Sequence, residues 1–254
     1  MNIRFLGTCF GPLKTKKRNT KDYRRPASLL VDDSILIDIT DQTLSFADDF
    51  GLSGLYPGVH TVLITTAAAE RFSLDALYAL AAITKKLDVY ADADTLSKIV
   101  PHPSISLHEA KPNEIFDVQG AKVIALPTVY SSENGEKAIG YAICTTRSLL
   151  YLPDGGFLHP DAWTLLKKLH FDHAILGCPT GDRPIGAASV TASNFEMAKI
   201  LRAIFVDAGM LSANARCFLT AIPTDKKRSI HEALLALAKD EGFTVAYDGL
   251  YMNV

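Results

Sequence analysis

Leu29-Leu30-Val31 is followed, after only Asp32-Asp33-Ser34, by Ile35-Leu36-Ile37. Three residues can join antiparallel strands. They cannot carry the crossover of about a dozen residues that parallel neighbours need. The pattern recurs in the second half, where Tyr141 to Cys144 and Leu149 to Leu152 flank a turn around Thr146-Arg147. Two hairpins argue against a plain doubly wound parallel sheet. Further short apolar runs read as strands: Phe5-Leu6 (ended by Gly7), Val62 to Ile64, Val89-Tyr90, Ile105 to Leu107, Val123 to Leu126, Ala174 to Leu176, Phe243 to Ala246 and Leu250 to Val254.

Helical patterns alternate with these runs. Ser73 is placed to cap a helix with Leu74, Leu77, Tyr78 and Ala81 on one face. Pro160 starts a second, carrying Trp163, Leu165, Leu166 and Leu169. Ser193-Asn194-Phe195-Glu196 and Ser229-Ile230-His231-Glu232 have the form of capping boxes. The first opens a helix with Met197, Ile200, Leu201, Ile204 and Phe205 on one side; the second carries Leu234, Leu235, Leu237 and Ala238 until Gly242 stops it. Each half is strand-rich first and helical later, which predicts two sheets packed together with helices outside. No Pro/Gly/Ser-rich linker divides the chain, so residues 1–254 read as one domain.

The formal net charge of −2 gives the whole chain no general attraction to nucleic acid or an anionic membrane. No apolar run approaches the ~20 residues of a membrane span, and the apolar run at the N-terminus is too short for a signal peptide. Cys9, Cys144, Cys178 and Cys217 form no C-x-x-C pair, which argues against a disulfide framework or zinc knuckle. The expected compartment is a reducing cytoplasm.

Several segments, taken in order, resemble the metallo-β-lactamase superfamily. Ile3-Arg-Phe-Leu-Gly-Thr8, Arg24-Arg-Pro-Ala-Ser-Leu-Leu-Val31 and Ile35-Leu-Ile-Asp38 resemble its opening. Val59-His-Thr-Val-Leu-Ile-Thr65 resembles the strand leading into its metal loop, and Tyr151-Leu-Pro-Asp154 the strand end bearing its bridging aspartate. Ala246-Tyr-Asp-Gly-Leu250 is similar to the C-terminal signature of the branch holding cyclic-phosphate phosphodiesterases and tRNA 3′-processing endonucleases. The resemblance implies an α/β, four-layer αββα sandwich with internal pseudo-twofold character. It places a cleft at one edge, built from the loops at 66–71, 127–132, 154–156 and 178–183.

The resemblance also implies an H-x-H-x-D-H motif and two zinc ions, which would activate a water and stabilise charge at phosphorus. The corresponding window reads Thr66-Ala67-Ala68-Ala69-Glu70-Arg71. Thr66 and Ala68 stand at the leading histidine positions, Glu70 at the aspartate and Arg71, which has no lone pair for a metal, at the last histidine. Tyr130 and Ala221 stand where two further histidines are implied, and Gly177 where relatives often carry an aspartate. Sliding the frame recovers nothing, because no histidine lies between His60 and His102. Asp154 alone matches among the placed metal positions, and Asp38 is also present. No metal cofactor is therefore expected.

Arg71 is expected to pair with Asp154 or Glu70 where a cation would sit; the alternative is a solvated arginine. His231, by resemblance, faces the cleft; the alternative is a surface histidine on a helix start. Thr180 and Asp182 are placed by analogy along the cleft. Lys14, Lys16, Lys17, Arg18, Lys21, Arg24 and Arg25, relieved only by Asp22, form a basic stretch that reads either as a phosphate or nucleic-acid contact or as a solvated loop. Two functions follow. The first is a pseudoenzyme with a degenerate metal site, which binds a small phosphorylated or nucleotide-like ligand or a protein partner. The second is a phosphodiester or ester hydrolase with a displaced zinc or manganese, or with acid–base work by Glu70, Asp154, Tyr130 and His231. The resemblance further implies a homodimer.

Overall fold

The computed structural model describes residues 1–11, 20–131, 135–154, 158–184 and 193–254, with only the backbone of Tyr130 and Ser131. Two seven-stranded sheets form the centre. The first runs β14 (Tyr251–Asn253), β1 (Asn2–Gly7), β2 (Ser28–Val31), β3 (Ile35–Ile37), β4 (Thr61–Leu63), β5 (Leu87–Ala91), β6 (Ile105–Glu109). The second runs β7 (Ile115–Val118), β8 (Ala121–Ser131), β9 (Lys137–Cys144), β10 (Ser148–Leu152), β11 (Phe171–Gly177), β12 (Leu211–Thr220), β13 (Phe243–Val245). In both, the first four strands in that order pair antiparallel and the remaining pairs are parallel. The sheets thus share one topology, with β14 returning from the end of the chain to begin the first sheet.

Parallel pairs need crossovers, and helices supply them. α1 (Asp41–Asp49), α2 (Leu74–Thr84) and α3 (Ala93–Leu96) follow β3, β4 and β5; α4 (Pro160–Leu166), α5 (Phe195–Asp207) and α6 (Ile230–Ala238) follow β10, β11 and β12. Side chains alternate between faces along each strand. Ile35 and Ile37 enter the core between the sheets, while Leu36 packs with Phe46 of α1 and Leu77 of α2. Ile175 and Phe218 join the inter-sheet core, while Leu176 and Leu219 pack under Leu201, Phe205 and Leu234. Because both faces of these central strands are covered, their sequences read as near-continuous apolar runs rather than alternating ones. The result is the expected αββα sandwich.

The first hairpin closes as its length requires. Asp32 and Asp33 both have positive φ (48° and 53°), the conformation of a type I′ turn, and Ser34 N–H donates to Val31 O at 3.2 Å. Ser73, Ser229 and Pro160 sit at their expected helix starts. One cap differs: Asn194, not Ser193, accepts the Met197 N–H, because the Ser193 hydroxyl is turned to the Gly177 carbonyl. The buried face of α5 is Phe195, Ala198, Leu201 and Phe205, and Ile200 and Ile204 face solvent. α1 escaped the sequence pattern because only Phe46 and Ala47 supply its buried apolar residues, while a reciprocal Thr40–Thr43 cap fixes its start.

The topology brings the C-terminal ends of β1, β3 and β4 to the same edge as those of β10, β11 and β12. Main-chain bonds stitch that edge: Phe10 N–H to Ile222 O (3.1 Å), Ile222 N–H to Thr8 O (2.8 Å) and Ile139 N–H to Thr65 O (2.8 Å). Gly7 is required there by close approach, since a Cβ on it would lie 1.8 Å from the Pro26 carbonyl oxygen. Gly7→Ala is expected to lower unfolding free energy by about 3 kcal/mol, the upper range for overpacking against backbone, in urea denaturation. An unchanged midpoint would show that the edge yields freely.

Candidate functional site

At this edge the loop after β4 folds back on itself. Ala68 O accepts the Arg71 and Phe72 N–H groups (2.8 and 3.0 Å), and Arg71 O accepts the Ile39 N–H (2.9 Å). The loop is thereby pinned to the chain following β3, and the Arg71 side chain, fully buried, enters the space between the strand ends. Its Nη2 and Nε donate to Asp154 Oδ1 at 2.6 and 3.1 Å, and Nε lies 4.0 Å from Asp38 Oδ2. The expected pairing of Arg71 falls on Asp154, not Glu70. Asp38 is in turn held by Thr65, whose N–H and hydroxyl donate to Oδ1 at 2.7 and 2.9 Å. Asp38 has a positive φ (60°), a conformation that Asp tolerates better than most residues.

One guanidinium between two buried carboxylates leaves a charge imbalance. Burial, against the opposing pull of Arg71 and Thr65, pushes Asp38 up to about 7, with Asp154 adding to the rise. Burial alone would lower the Arg71 pKa, but Asp154 and Asp38 more than offset it and hold it above the ordinary arginine value. Arg71 Nη1 and Asp154 Oδ2 are buried and have no hydrogen-bond partner among the described residues.

A second buried network ties the chain's ends together. Arg24, fully buried, donates from Nη1 to Thr8 Oγ1 (2.7 Å) and to Ala246 O (2.6 Å), and from Nη2 to His231 Nδ1 (2.9 Å). Asp248 accepts from the Thr8 hydroxyl (2.8 Å), from Arg25 N–H (2.7 Å) and from Arg25 Nη1 (3.3 Å). Burial raises Asp248 to about 6 against those bonds. Arg25 also pairs with Asp49. These contacts correct the reading of Arg24 and Arg25 as part of an anion-contacting loop: their charges are spent inside the protein. Lys14, Lys16, Lys17 and Arg18 lie outside the described residues.

His231 is buried, not a surface residue of the helix start. A guanidinium can only donate, so Nδ1 must accept and the ring proton sits on Nε2. Burial, with Arg24 and Lys21 adding to it, lowers His231 to about 4, so the ring is neutral near pH 7. The remaining sequence candidates are scattered. Glu70 is half-buried and lines a cavity of about 310 Å³ with Pro26, Thr40, Asp41 and Gln42. Thr66 and Ala68 are buried inside the pinned loop, where Thr66 Oγ1 accepts the Ala68 N–H at 3.4 Å. Thr180 donates its hydroxyl to Ser193 O (2.9 Å), and Asp182 holds Arg228 through both carboxylate oxygens (2.6 and 2.7 Å). Ala221 is fully buried at φ 49°. The Tyr130 side chain is outside the described residues. Among the described residues, no hydrogen bond or ion pair joins any two of Asp154, Glu70 and His231.

No family model and no curated protein sequence matches the chain. Solved structures do. A diphosphatase of the PhnP family superposes with a TM-score of 0.72 at 20% identity, covering 99% of this chain and 96% of that one. The metallo-β-lactamase fold protein YhfI from Bacillus subtilis gives 0.70 at 15% identity, covering 99% and 98%. The short form of human tRNase Z gives 0.66 at 15% identity, covering 100% and 99%. The chain has the metallo-β-lactamase fold. The dinuclear zinc centre implied for that fold does not fit the residues present. Asp154 Oδ1 is occupied twice by Arg71, and both Asp38 oxygens accept from Thr65, which leaves Asp154 Oδ2 as the one uncommitted donor atom of the cluster. Among the described residues no group of three or more His, Cys, Asp or Glu could hold a metal ion.

Two outcomes follow. Arg71→Met strands Asp154 and Asp38 without a cation and is expected to cost about 3–5 kcal/mol in chemical denaturation, the range for breaking a buried pair from one side; Arg71→Met with Asp154→Leu should cost less. A double variant whose loss equals the sum of the Arg71→Met and Asp154→Leu losses would show that the pair does not couple. For pH, the folded-state value of Asp38 lies above its unfolded value of 3.8, so its contribution is full below that value and disappears as pH rises through about 7. Asp38→Asn should therefore lose less melting temperature than the wild type between pH 5 and 8. Parallel slopes would rule out Asp38 as the titrating group.

Proposed function

We propose that this chain is a non-catalytic member of the metallo-β-lactamase fold that uses its cleft edge for binding. The observation that carries this reading is the fully buried Arg71 guanidinium, bonded to Asp154 Oδ1 at 2.6 Å, in the place where the fold's hydrolases would need a metal ligand. A dinuclear centre lowers the pKa of its bound water and clamps the charge that develops at phosphorus. A guanidinium supplies fixed positive charge but generates no nucleophile. Asp154, bound to that guanidinium, is a structural anion in this reading. His231 supports it too: neutral, with its Nδ1 occupied by Arg24, it has an Nε2–H to donate to a bound group and no free lone pair to act as a base.

Elemental analysis of protein purified without chelators, paired with hydrolysis of bis(p-nitrophenyl) phosphate in added zinc or manganese, tests the proposal. Substoichiometric metal and a rate equal to that of buffer are expected, with no change in Asp154→Ala. One or two bound metal ions per chain, or turnover that Asp154→Ala abolishes, would overturn it.

A further inference from the structure

A cavity of about 560 Å³ opens beside the start of α6, between residues 20–22 and 225–229, with Glu232 of α6 on its wall. Among the described residues its lining side chains are polar or charged, so it offers a ligand chiefly charge and hydrogen bonds. The carboxylates around it are mostly committed elsewhere. Asp22 Oδ1 accepts the His231 N–H at 3.0 Å. Asp225 accepts the Lys227 N–H at 2.8 Å through Oδ1 and Arg183 at 2.7 Å through Oδ2. Arg228, likewise, is held by both oxygens of Asp182. The α6 N–H of Glu232 is already taken by the Ser229 hydroxyl, so the helix end is capped from within.

What remains is three exposed ammonium groups, Lys21, Lys226 and Lys227, none of which forms a salt bridge among the described residues, against two carboxylates, Glu232 and Asp22, the latter bonded only to the neutral His231 N–H. Lys21 is positioned from below by the Tyr247 ring, 4.7 Å from its Nζ. Holding like charges together around a concave surface is unfavourable unless an anion answers them. Lysines present point charges on flexible stems, suited to the several oxygens of a phosphate rather than to the flat two-oxygen edge of a carboxylate that an arginine fork would select.

We propose that this cavity binds a small phosphate-bearing ligand carrying at least two negative charges, through Lys21, Lys226 and Lys227. The site uses neither Arg71 nor Asp154 and does not depend on how the cleft is read. Calorimetric titration of the full chain with inorganic diphosphate, at low and at 250 mM salt, is the test, with a 5′-phosphorylated single-stranded oligonucleotide as the second arm. One diphosphate per chain is expected, with affinity falling at higher salt. Lys226→Gln with Lys227→Gln should weaken it at least tenfold, while Lys167→Gln with Lys168→Gln, an exposed pair at the end of α4, should change it less than twofold at an unchanged melting temperature. Absence of diphosphate binding, or equal weakening by both pairs, would overturn the site. Tighter binding of the oligonucleotide than of diphosphate would overturn the small ligand in favour of a nucleic-acid backbone.

Discussion

The joint between the two sheets depends on one buried ion pair. Asp38 and Asp154 stand just beyond equivalent strands, β3 in one sheet and β10 in the other, so the shared topology delivers two carboxylates to one dry place. Burying two anions is prohibitive without a cation or a proton. Arg71 provides the first and bonds Asp154. The rise of Asp38 to about 7 provides the second, since a protonated Asp38 leaves the cluster neutral. Thr65 fits either state: its hydroxyl and N–H both reach Asp38, and the hydroxyl can rotate to accept when the carboxyl carries a proton.

The same accounting organises the second network. Arg24 lies in the long connection to β2, more than two hundred residues before both His231 in α6 and Asp248 just before β14. Arg24 and Asp248 meet at the Thr8 hydroxyl, at the exit of β1, and Arg24 carries the link on to His231. Closing such distant segments is costly in chain entropy, and the strand that gains is β14, which has only β1 as a neighbour. Arg24 serves by donating in three directions at once, to a hydroxyl, a carbonyl and an imidazole.

Much of this was legible in the sequence. The short connections at 32–34 and around 146–147 required hairpins, and the resemblance of dispersed segments supplied the sandwich. The Arg71–Asp154 pair followed from asking what an arginine in a ligand position could do. Arg24 and Arg25 read as an anion contact or a solvated loop because their partners, Ala246 O and His231 for Arg24 and Asp248 for Arg25, lie far away in sequence. The Asp248 segment was visible as a motif, but nothing local says that its carboxylate faces inward. The cavity beside α6 was equally hidden: Lys21 and Lys226-Lys227 come from opposite ends of the chain and acquire meaning only when α6 sets them around one opening.

Binding a metal and folding are coupled, because ligands brought together for a cation repel one another without it. Without Arg71 this edge would hold two buried carboxylates and no cation. The loop at 66–71 resolves that conflict with its backbone as well as its side chain, for Ala68 O accepts the Arg71 N–H and Arg71 O accepts the Ile39 N–H, which place Arg71 at the carboxylates. Ala221 shows the complementary case. Its φ of 49° is unfavourable for alanine, yet the residue is fixed there by the Ile222 bonds to Thr8 and Phe10. The edge is therefore held twice, by main-chain stitching between the sheets and by the Arg71–Asp154 pair at its centre.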